Sequence, residues 1–535
     1  MSPTPTTRAL GELLDRLTAE ARLRGTRAGG RPVPTADLAG IDVTGVTHDS
    51  RAVSSGMLFV AVPGLRVDGH DFVPAAIEAG AAGVIVEQPV AGVAAPQIVV
   101  DAARPALASA AAWWFGDPSH ALTVIGITGT DGKTTTCYLA VAGLEASGLR
   151  TGMIGTIATR IGGRTDDHAE HATTPEAPEL QATLRAMVDA GDQAAVIETT
   201  SHGLALDRVA SIAYDVAILT NVTHEHLELH GTWEAYRDAK LSLFDRPRLV
   251  HGVEKPNPVA PAAIVNLDDP SAGLFIGTAR GAGARVFTYG TEPAADVRAN
   301  RIAEDARGLH ADVTAPSGDA MIDLRLAGRF NVHNALAVVA LGEALGLEPA
   351  RVRAGLASVD VVPGRMERID LGQPFGVVVD FAHSPASLTM VLDLLAPAAA
   401  ARGGGLIAVF GSAGERDTAK RPQMGRIAGE RARLVVVTDE DPRGEDREAI
   451  LDEIARGAEV AGRRRGHDLL LIADRREAIA AAFEAARPGD IVLLAGKGHE
   501  RAIIGPDGER PWDERAVAME LLHELGHARE EAARP

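Results

Sequence analysis

The sequence predicts an α/β protein of several domains built on parallel sheets, and three observations predict it. Residues 122–136 read as an apolar, β-branched strand, a glycine turn, and a helix starting near Lys133. That order makes a phosphate cradle, because backbone N–H groups and the helix N-terminus face one anion. The apolar runs 194–197, 216–219 and 263–265 fit strands buried on both faces of a parallel sheet. Beyond residue 363, the runs 376–380, 405–410, 434–438, 469–472 and 491–494 alternate with helix-like segments, as in a Rossmann-like βαβ sheet.

Composition sets the bounds. At 535 residues the chain has room for three or four domains, taking roughly 150 residues for each. Hydrophobic residues make up 46% and charged residues 23%, a globular balance. The net charge of −19 argues against a general nucleic-acid or acidic-membrane surface, so any anion needs a local site. Cys137 is the single cysteine, which excludes an intrachain disulfide. It reads as a small packing residue beside the glycine turn. No apolar run is long enough to span a bilayer, so a soluble, cytosolic protein is expected, with no membrane or nucleic-acid partner.

Residues 1–30 read as a polar, partly helical lead-in. Strand-like runs at 57–62 and 83–87 flank a helical stretch at 73–79. Residues 102–113 form a small-residue helix that ends at the Gly116-Asp-Pro-Ser119 turn. Two later runs, 286–289 and 321–326, read as strands, the second alternating like a half-exposed one. The expected domains are 1–119, 120–361 and 362–535.

The chemistry gathers at strand ends, where ligands sit in open α/β sheets. In the glycine turn, Gly129, Thr130, Asp131 and Gly132 precede Lys133, Thr134 and Thr135. Lys133 supplies charge for β/γ-phosphates and the Thr134 hydroxyl can hold Mg²⁺. The spacing departs from G-x-x-x-x-G-K-[ST], since five residues separate Gly126 from Gly132. Run 194–197 ends in Glu198-Thr-Thr-Ser-His202, and run 216–219 ends in Thr220-Asn-Val-Thr-His-Glu-His226. Glu198 and His226 either serve Mg²⁺ beside a triphosphate or cap strands, and both readings stand at this level. Zinc at His224, His226 and His230 is disfavoured, because no cysteine accompanies them.

Longer segments resemble the Mur ligase family. Thr128-Gly-Thr-Asp-Gly-Lys-Thr134 is similar to its ATP loop. Glu198-Thr-Thr-Ser-His202, Thr220-Asn-Val-Thr-His-Glu-His-Leu-Glu-Leu-His-Gly231, Gly328-Arg-Phe-Asn-Val-His-Asn334, Pro363-Gly-Arg-Met-Glu367, Val379-Asp-Phe-Ala-His-Ser-Pro385 and Gly496-Lys-Gly-His-Glu500 follow in the family's order. Asp49-Ser-Arg51 and residues 56–64 extend the match to the N-terminal region. The resemblance spans about 43–520 and implies three domains: one for a uridine-nucleotide substrate, a central P-loop ATPase and a C-terminal Rossmann-like domain. It points to the tripeptide-forming branch of the family. In that reaction ATP activates the terminal carboxylate of UDP-N-acetylmuramoyl-L-alanyl-D-glutamate and a diamino acid completes an amide, in a monomeric enzyme.

Residue by residue, the resemblance links Thr134, Glu198, His226 and Lys240 to Mg²⁺. Lys240 matches a carbamylated lysine, although without the family it reads as a solvated helical lysine. Asn331 and Asn334 are placed near adenine, and Arg365 and Asp380 near ribose and phosphates. Phe381 stands where the family has tyrosine. Ser50, Thr173, Thr174, Thr200 and Arg208 are placed on the nucleotide-sugar substrate; Leu206 replaces a family glutamine. Arg416, Glu440, Asp441, Pro442, Arg443, Gly496 and Glu500 are placed on the incoming amino acid. Glu440-Asp441 departs from the family's Asp-Asn. The added acid suits the ammonium of lysine or ornithine, whereas Arg416 and Arg443 suit the distal carboxylate of meso-diaminopimelate, the favoured expectation. A folylpolyglutamate-synthase-like ligase and a nucleotide-sugar-binding protein without catalysis are the alternatives. The N-terminal uridine-type region and Arg443 weigh against the first. The complete set Lys133, Thr134, Glu198, His226 and Lys240 weighs against the second.

Overall fold

The computed structural model describes residues 7–64, 67–167, 173–223, 227–246, 248–305 and 308–527. Its backbone divides into two compact units. One comprises Met1–Arg298, Thr314–Asp319 and Ala335–Gly355; the other comprises Ala299–Val313, Ala320–Asn334 and Leu356–Pro535.

The first unit opens with a sheet whose order is Arg31–Val33, Leu23–Ala28, Gln97–Val100, Gly83–Val86, Met57–Val60, Gly45–Thr47. The last four run parallel, and Leu23–Ala28 is antiparallel to Gln97–Val100. The lead-in is more structured than its composition suggests. Leu10, Leu13, Leu14 and Leu17 are all buried on the helix Leu10–Ala19. Their i, i+3, i+4, i+7 spacing is the signal for that face. The hairpin behind it turns at Gly29 and Gly30, with φ 57° and 74°, and a Gly-Gly pair with positive φ suits such a tight turn. The helix Ala103–Phe115 packs Trp113 and Trp114 into the same core.

The second sheet of this unit holds the phosphate loop. Its parallel strands run in the order Thr151–Ile154, Ala194–Glu198, Thr123–Thr128, Val216–Leu219, Ala262–Asn266, Arg285–Gly290. An antiparallel hairpin, Ala158–Ile161 with Arg164–Asp167, extends the first edge. Every residue of Thr123–Thr128 and of Ala194–Glu198 is buried, which explains their unbroken apolar runs. These two strands are neighbours and Val216–Leu219 flanks the first, so three polar strand ends emerge side by side.

Gly126 belongs to the strand, not the turn. A Cβ there would lie 2.7 Å from the Tyr214 ring, so glycine is kept for packing, and Ile127 stands where G-x-x-x-x-G-K-[ST] has its first glycine. Gly126→Ala is expected to cost about 1–3 kcal/mol by overpacking. A lower urea midpoint with an unchanged m-value would bear this out, and an unshifted midpoint would refute it.

The second unit carries a sheet ordered Glu367–Ile369, Gly376–Asp380, Ile491–Ala495, Leu406–Phe410, Leu434–Val437, Leu469–Leu471. All neighbours are parallel except the first pair. The five runs read from sequence are its five parallel strands. Helices Pro385–Ala401, Lys420–Arg431, Arg447–Val460 and Arg475–Ala485 connect them, the arrangement of a Rossmann-like sheet. In the same unit Leu309 to Val313 pair antiparallel with Leu324 to Ala320. Met321 is exposed while Ile322 and Leu324 are buried, the alternation of a one-sided strand.

Candidate active site

The turn between strand Thr123–Thr128 and helix Lys133–Ala146 is built for close approach. Gly129 has φ 148° and Gly132 φ 82°. A Cβ on Gly129 would sit 1.8 Å from the Thr220 hydroxyl, so only glycine fits. The neighbouring strand end holds the turn from one side. Thr130 N donates to Asn221 O at 2.8 Å, and Asp131 N donates to Asn221 Oδ1 at 2.9 Å. Thr220 Oγ1 and Asn221 Nδ2 both donate to Asp131 O, at 2.7 and 3.1 Å. Asn221 is a residue that the motif reading passed over, although it sits inside the Thr-Asn-Val-Thr segment.

Lys133 folds back over this turn, with Nζ donating to Thr130 O at 2.7 Å. Thr134 Oγ1 lies 3.1 Å from both carboxylate oxygens of buried Glu198. Thr156 N donates to Glu198 Oε2 at 3.1 Å. A threonine hydroxyl facing a carboxylate at a helix N-terminus is a hard-oxygen donor set, the kind that suits Mg²⁺. The glycine turn at the N-terminus of helix Lys133–Ala146, with a lysine beside it, suits a polyphosphate. His224 and His226 lie outside the described residues. Among the described residues no cluster of three or more His, Cys, Asp or Glu side chains forms.

Lys240 lies on helix Trp233–Leu241 and is buried, not solvated. Its Nζ donates to Gly129 O at 2.7 Å and sits 4.2 Å from the centre of the Tyr236 ring. Tyr236 also ties its hydroxyl to Thr130 Oγ1 at 3.0 Å. Sequence reasoning missed Tyr236, which joins the lysine's helix to the phosphate turn. His230, on helix Leu227–His230, packs edge-on against Tyr236 and His202.

Of the residues placed on the nucleotide-sugar substrate, Thr173, Thr174, Thr200 and Arg208 gather around the start of helix Ser201–Ala205. Thr200 caps that helix through Gly203 N at 3.0 Å, and its hydroxyl meets Thr174 Oγ1 at 3.0 Å. Thr174 also donates to Glu198 O, and Thr156 Oγ1 donates to Thr173 Oγ1. The threonines are therefore coupled directly to the Glu198 strand end. Arg208 donates to Thr174 O at 2.8 Å and pairs with Glu176 at 2.7 Å. Glu176, unremarked in the sequence, is the acid that answers the Arg208 charge. Ser50 opens a short turn after the strand Gly45–Thr47, next to Asp49, whose side chain accepts from Arg51 N.

The remaining residues fall in the second unit. Asn334 Nδ2 donates to Asn331 Oδ1 at 2.9 Å, linking the two buried asparagines. Asp380 is fixed by Met366 N and Ala382 N, each at 2.8 Å. Arg365 lies over the Phe381 ring at 4.8 Å. Gly364, with φ 65°, packs so tightly that a Cβ would lie 2.4 Å from His499 N. The Pro363-Gly-Arg365 turn therefore lies against Gly496-Lys-Gly-His-Glu500.

Asp441 Oδ1 accepts from Lys497 Nζ at 2.8 Å and from Ile504 N at 2.9 Å. Lys497 also pairs with Glu500 at 2.5 Å. Arg443 adopts φ 54°, with its N donating to Ile504 O at 2.8 Å. Gly414 N donates to Asp441 O, which brings the loop of Arg416, itself exposed, beside this segment. Buried Arg475 pairs with Glu514 at 2.6 Å and donates to Asp439 O and Ala495 O, clamping the two strand ends that present Glu440 and Gly496. Lys497 and Arg475 had no role in the sequence reading. Lys497 lay inside a quoted segment, whereas nothing local marks Arg475.

Family models match almost end to end. The Mur ligase family catalytic domain covers residues 42–114, the Mur ligase middle domain 127–342, and the Mur ligase glutamate ligase domain 364–498. The chain belongs to the Mur ligase family and has its three-domain α/β fold. It is 48% identical, over 91% of its length and 96% of the relative's, to a UDP-N-acetylmuramyl-tripeptide synthetase of Roseiflexus sp. (strain RS-1). A UDP-N-acetylmuramoyl-L-alanyl-D-glutamate--2,6-diaminopimelate ligase of Geobacter metallireducens is 40% identical, over 91% of this chain and 95% of its own. A solved structure of a UDP-N-acetylmuramoyl-L-alanyl-D-glutamate--2,6-diaminopimelate ligase superposes with TM-score 0.61 at 29% identity, covering 92% of this chain and 97% of its own. A folylpolyglutamate synthase of Mycobacterium tuberculosis shares the fold at 21% identity and TM-score 0.58, over 74% of this chain and 92% of its own.

Proposed function

We propose that this chain is an ADP-forming ligase of peptidoglycan synthesis that joins a diamino acid to UDP-N-acetylmuramoyl-L-alanyl-D-glutamate at the expense of ATP. The observation that carries it is the glycine turn with Lys133 above it and Thr134 set against Glu198, in a chain similar over nine-tenths of its length to enzymes named for that reaction. Among the described residues no helix is long and apolar enough to cross a membrane. A cytosolic monomer is the working state.

The chemistry must bring anions together and neutralise charge on the transferred phosphoryl group. Gly129, Thr130, Asp131 and Gly132, with Thr135, cradle the phosphates of ATP, and Lys133 supplies positive charge to them. Thr134, Glu198, His226 and a carbamate on Lys240 would hold Mg²⁺, which when bound offsets charge between phosphate oxygens. Asn331 and Asn334 bind adenine, and Arg365 and Asp380 the ribose and phosphates. Ser50, Thr173, Thr174, Thr200 and Arg208 orient the nucleotide sugar, with Arg208 exchanging Glu176 for a substrate anion. The terminal carboxylate oxygen attacks the γ-phosphorus and ADP leaves. The amine nitrogen then attacks the acyl carbon and phosphate leaves. Arg416, Glu440, Asp441, Pro442, Arg443, Gly496 and Glu500 receive the amino acid.

The test is phosphate release from ATP with magnesium. Release is expected only when UDP-N-acetylmuramoyl-L-alanyl-D-glutamate and a diamino acid are both present, with the tripeptide product seen by mass spectrometry. Release with a folate and glutamate instead, or with neither substrate, would overturn the reading.

A further inference from the structure

The segment Leu219 to Val222 lies between the phosphate turn and the next two strands of the sheet, and it is held from both sides. Toward the turn, Thr220 and Asn221 bond to Thr130 and Asp131. On the other side, Tyr289 Oη donates to Leu219 O at 2.9 Å and Asn266 Nδ2 donates to Thr220 O at 2.7 Å. Val222 N donates to Asp269 Oδ2 at 2.6 Å. Tyr289, Asn266 and Asp269 are all buried.

Asn266 and Asp269 come from one short stretch, Asn266-Leu-Asp-Asp269, where strand Ala262–Asn266 ends. Each has a second bond that fixes its own orientation. Asn266 Oδ1 accepts from Asp268 N at 3.1 Å, and Asp269 Oδ1 accepts from Ser271 N at 2.8 Å. A buried carboxylate with a backbone donor on each oxygen is a stiff fixture, and its bond to Val222 N is charge-assisted. A shift of the held segment has no slack to vanish into. A Cβ on Gly129 would overlap the Thr220 hydroxyl at 1.8 Å and lie 3.0 Å from Asn221 N, so turn and segment are in contact. Interiors packed this closely transmit displacement, and phosphoryl transfer depends on where the phosphates are held.

We infer that Asn266 and Asp269 are positioning residues for ATP, which set the phosphate turn by fixing Thr220 and Val222 rather than by contact with the nucleotide. Of the ligase reading above, the inference needs only that the turn binds ATP.

The experiment measures the Kd of magnesium ATP by calorimetry, and the KM values for ATP and for the nucleotide sugar, in Asn266→Ala, Asp269→Ala and Asp269→Asn. Asp192→Asn is the control. Asp192 is also a buried acid that accepts from a backbone N–H, Gly162 N at 2.9 Å, but it lies before strand Ala194–Glu198, at the sheet end away from Glu198. Kd and KM for ATP are expected to rise about tenfold or more in the two alanine variants, with the nucleotide-sugar KM within about threefold. Asp269→Asn, which keeps one acceptor oxygen, should fall between the wild type and Asp269→Ala. Asp192→Asn should leave ATP affinity within about threefold, whatever its urea midpoint. Unchanged ATP affinity in folded Asn266→Ala and Asp269→Asn proteins overturns the inference. So does an equal loss in Asp192→Asn, or an Asp269→Asn chain that cannot fold, because either marks a purely structural acid. A wild type that binds ATP but shows no release dependent on a diamino acid sinks the ligase reading alone, and one that binds no ATP sinks both.

Discussion

Turnover by Lys133→Ala is expected to fall by about a hundredfold to a thousandfold, with the fold intact. The reasoning starts from where the side chain lies. Lys133 is the first residue of the helix that follows the glycine turn, and its Nζ folds onto Thr130 O at 2.7 Å. The turn is held independently by Asn221 and Thr220, so removing the amine leaves its shape in place. The structural loss is one half-buried hydrogen bond, worth about 1 kcal/mol. The catalytic loss is larger. In phosphoryl transfer the protein contributes chiefly positioning and charge, and removing one well-placed donor from a water-poor site costs roughly 10²–10³ in rate. The measurement is single-turnover phosphate release beside a urea unfolding curve. Near-normal release by a folded Lys133→Ala protein would sink the phosphate-transfer role. A collapsed unfolding midpoint would show that Lys133 is structural instead.

Much of this was legible in the chain because the chemistry is local. The phosphate turn, its preceding strand and its following helix lie within residues 122–146, so their order alone fixes which groups face the anion. The five parallel strands of the second unit were equally readable, since buried strands are unbroken apolar runs bounded by polar ends. What resisted reading depends on distant partners. Gly126 looked like part of the loop because spacing is one-dimensional, whereas the Tyr214 ring that demands a glycine lies 88 positions on. Lys240 looked like a solvated helical residue, yet it is buried against Gly129, 111 positions back. Glu176 and Arg475 carry no local signal, because an ion pair is defined by its partner and not by its neighbours. Asp441 drew attention as an added charge, and only the fold shows that it lies against Lys497, a cation it shares with Glu500.

Lys240 gives the second large expected effect, because two substitutions separate its possible roles. The amine lies where a cation is welcome, 2.7 Å from Gly129 O and 4.2 Å from the Tyr236 ring centre. If its role is only to brace the phosphate turn, Lys240→Arg keeps a cation and should keep most of the activity. If its role is to carry a carbamate, arginine cannot replace it, because only the lysine amine takes up CO₂ to become an anion beside Mg²⁺. The carbamate reading therefore predicts that Lys240→Arg and Lys240→Ala both lose about 10²–10³ in kcat, on the scale of a lost charge-positioning group. It further predicts that acetate or formate restores part of the activity to Lys240→Ala, whose truncated side chain leaves room for a small carboxylate, and none to Lys240→Arg. The brace alone predicts no rescue by carboxylates. Rates measured with and without added acetate, on proteins matched for unfolding midpoint, decide between the two. Full activity in Lys240→Arg would end the carbamate proposal and leave Lys240 as the residue that pins the phosphate turn through Gly129.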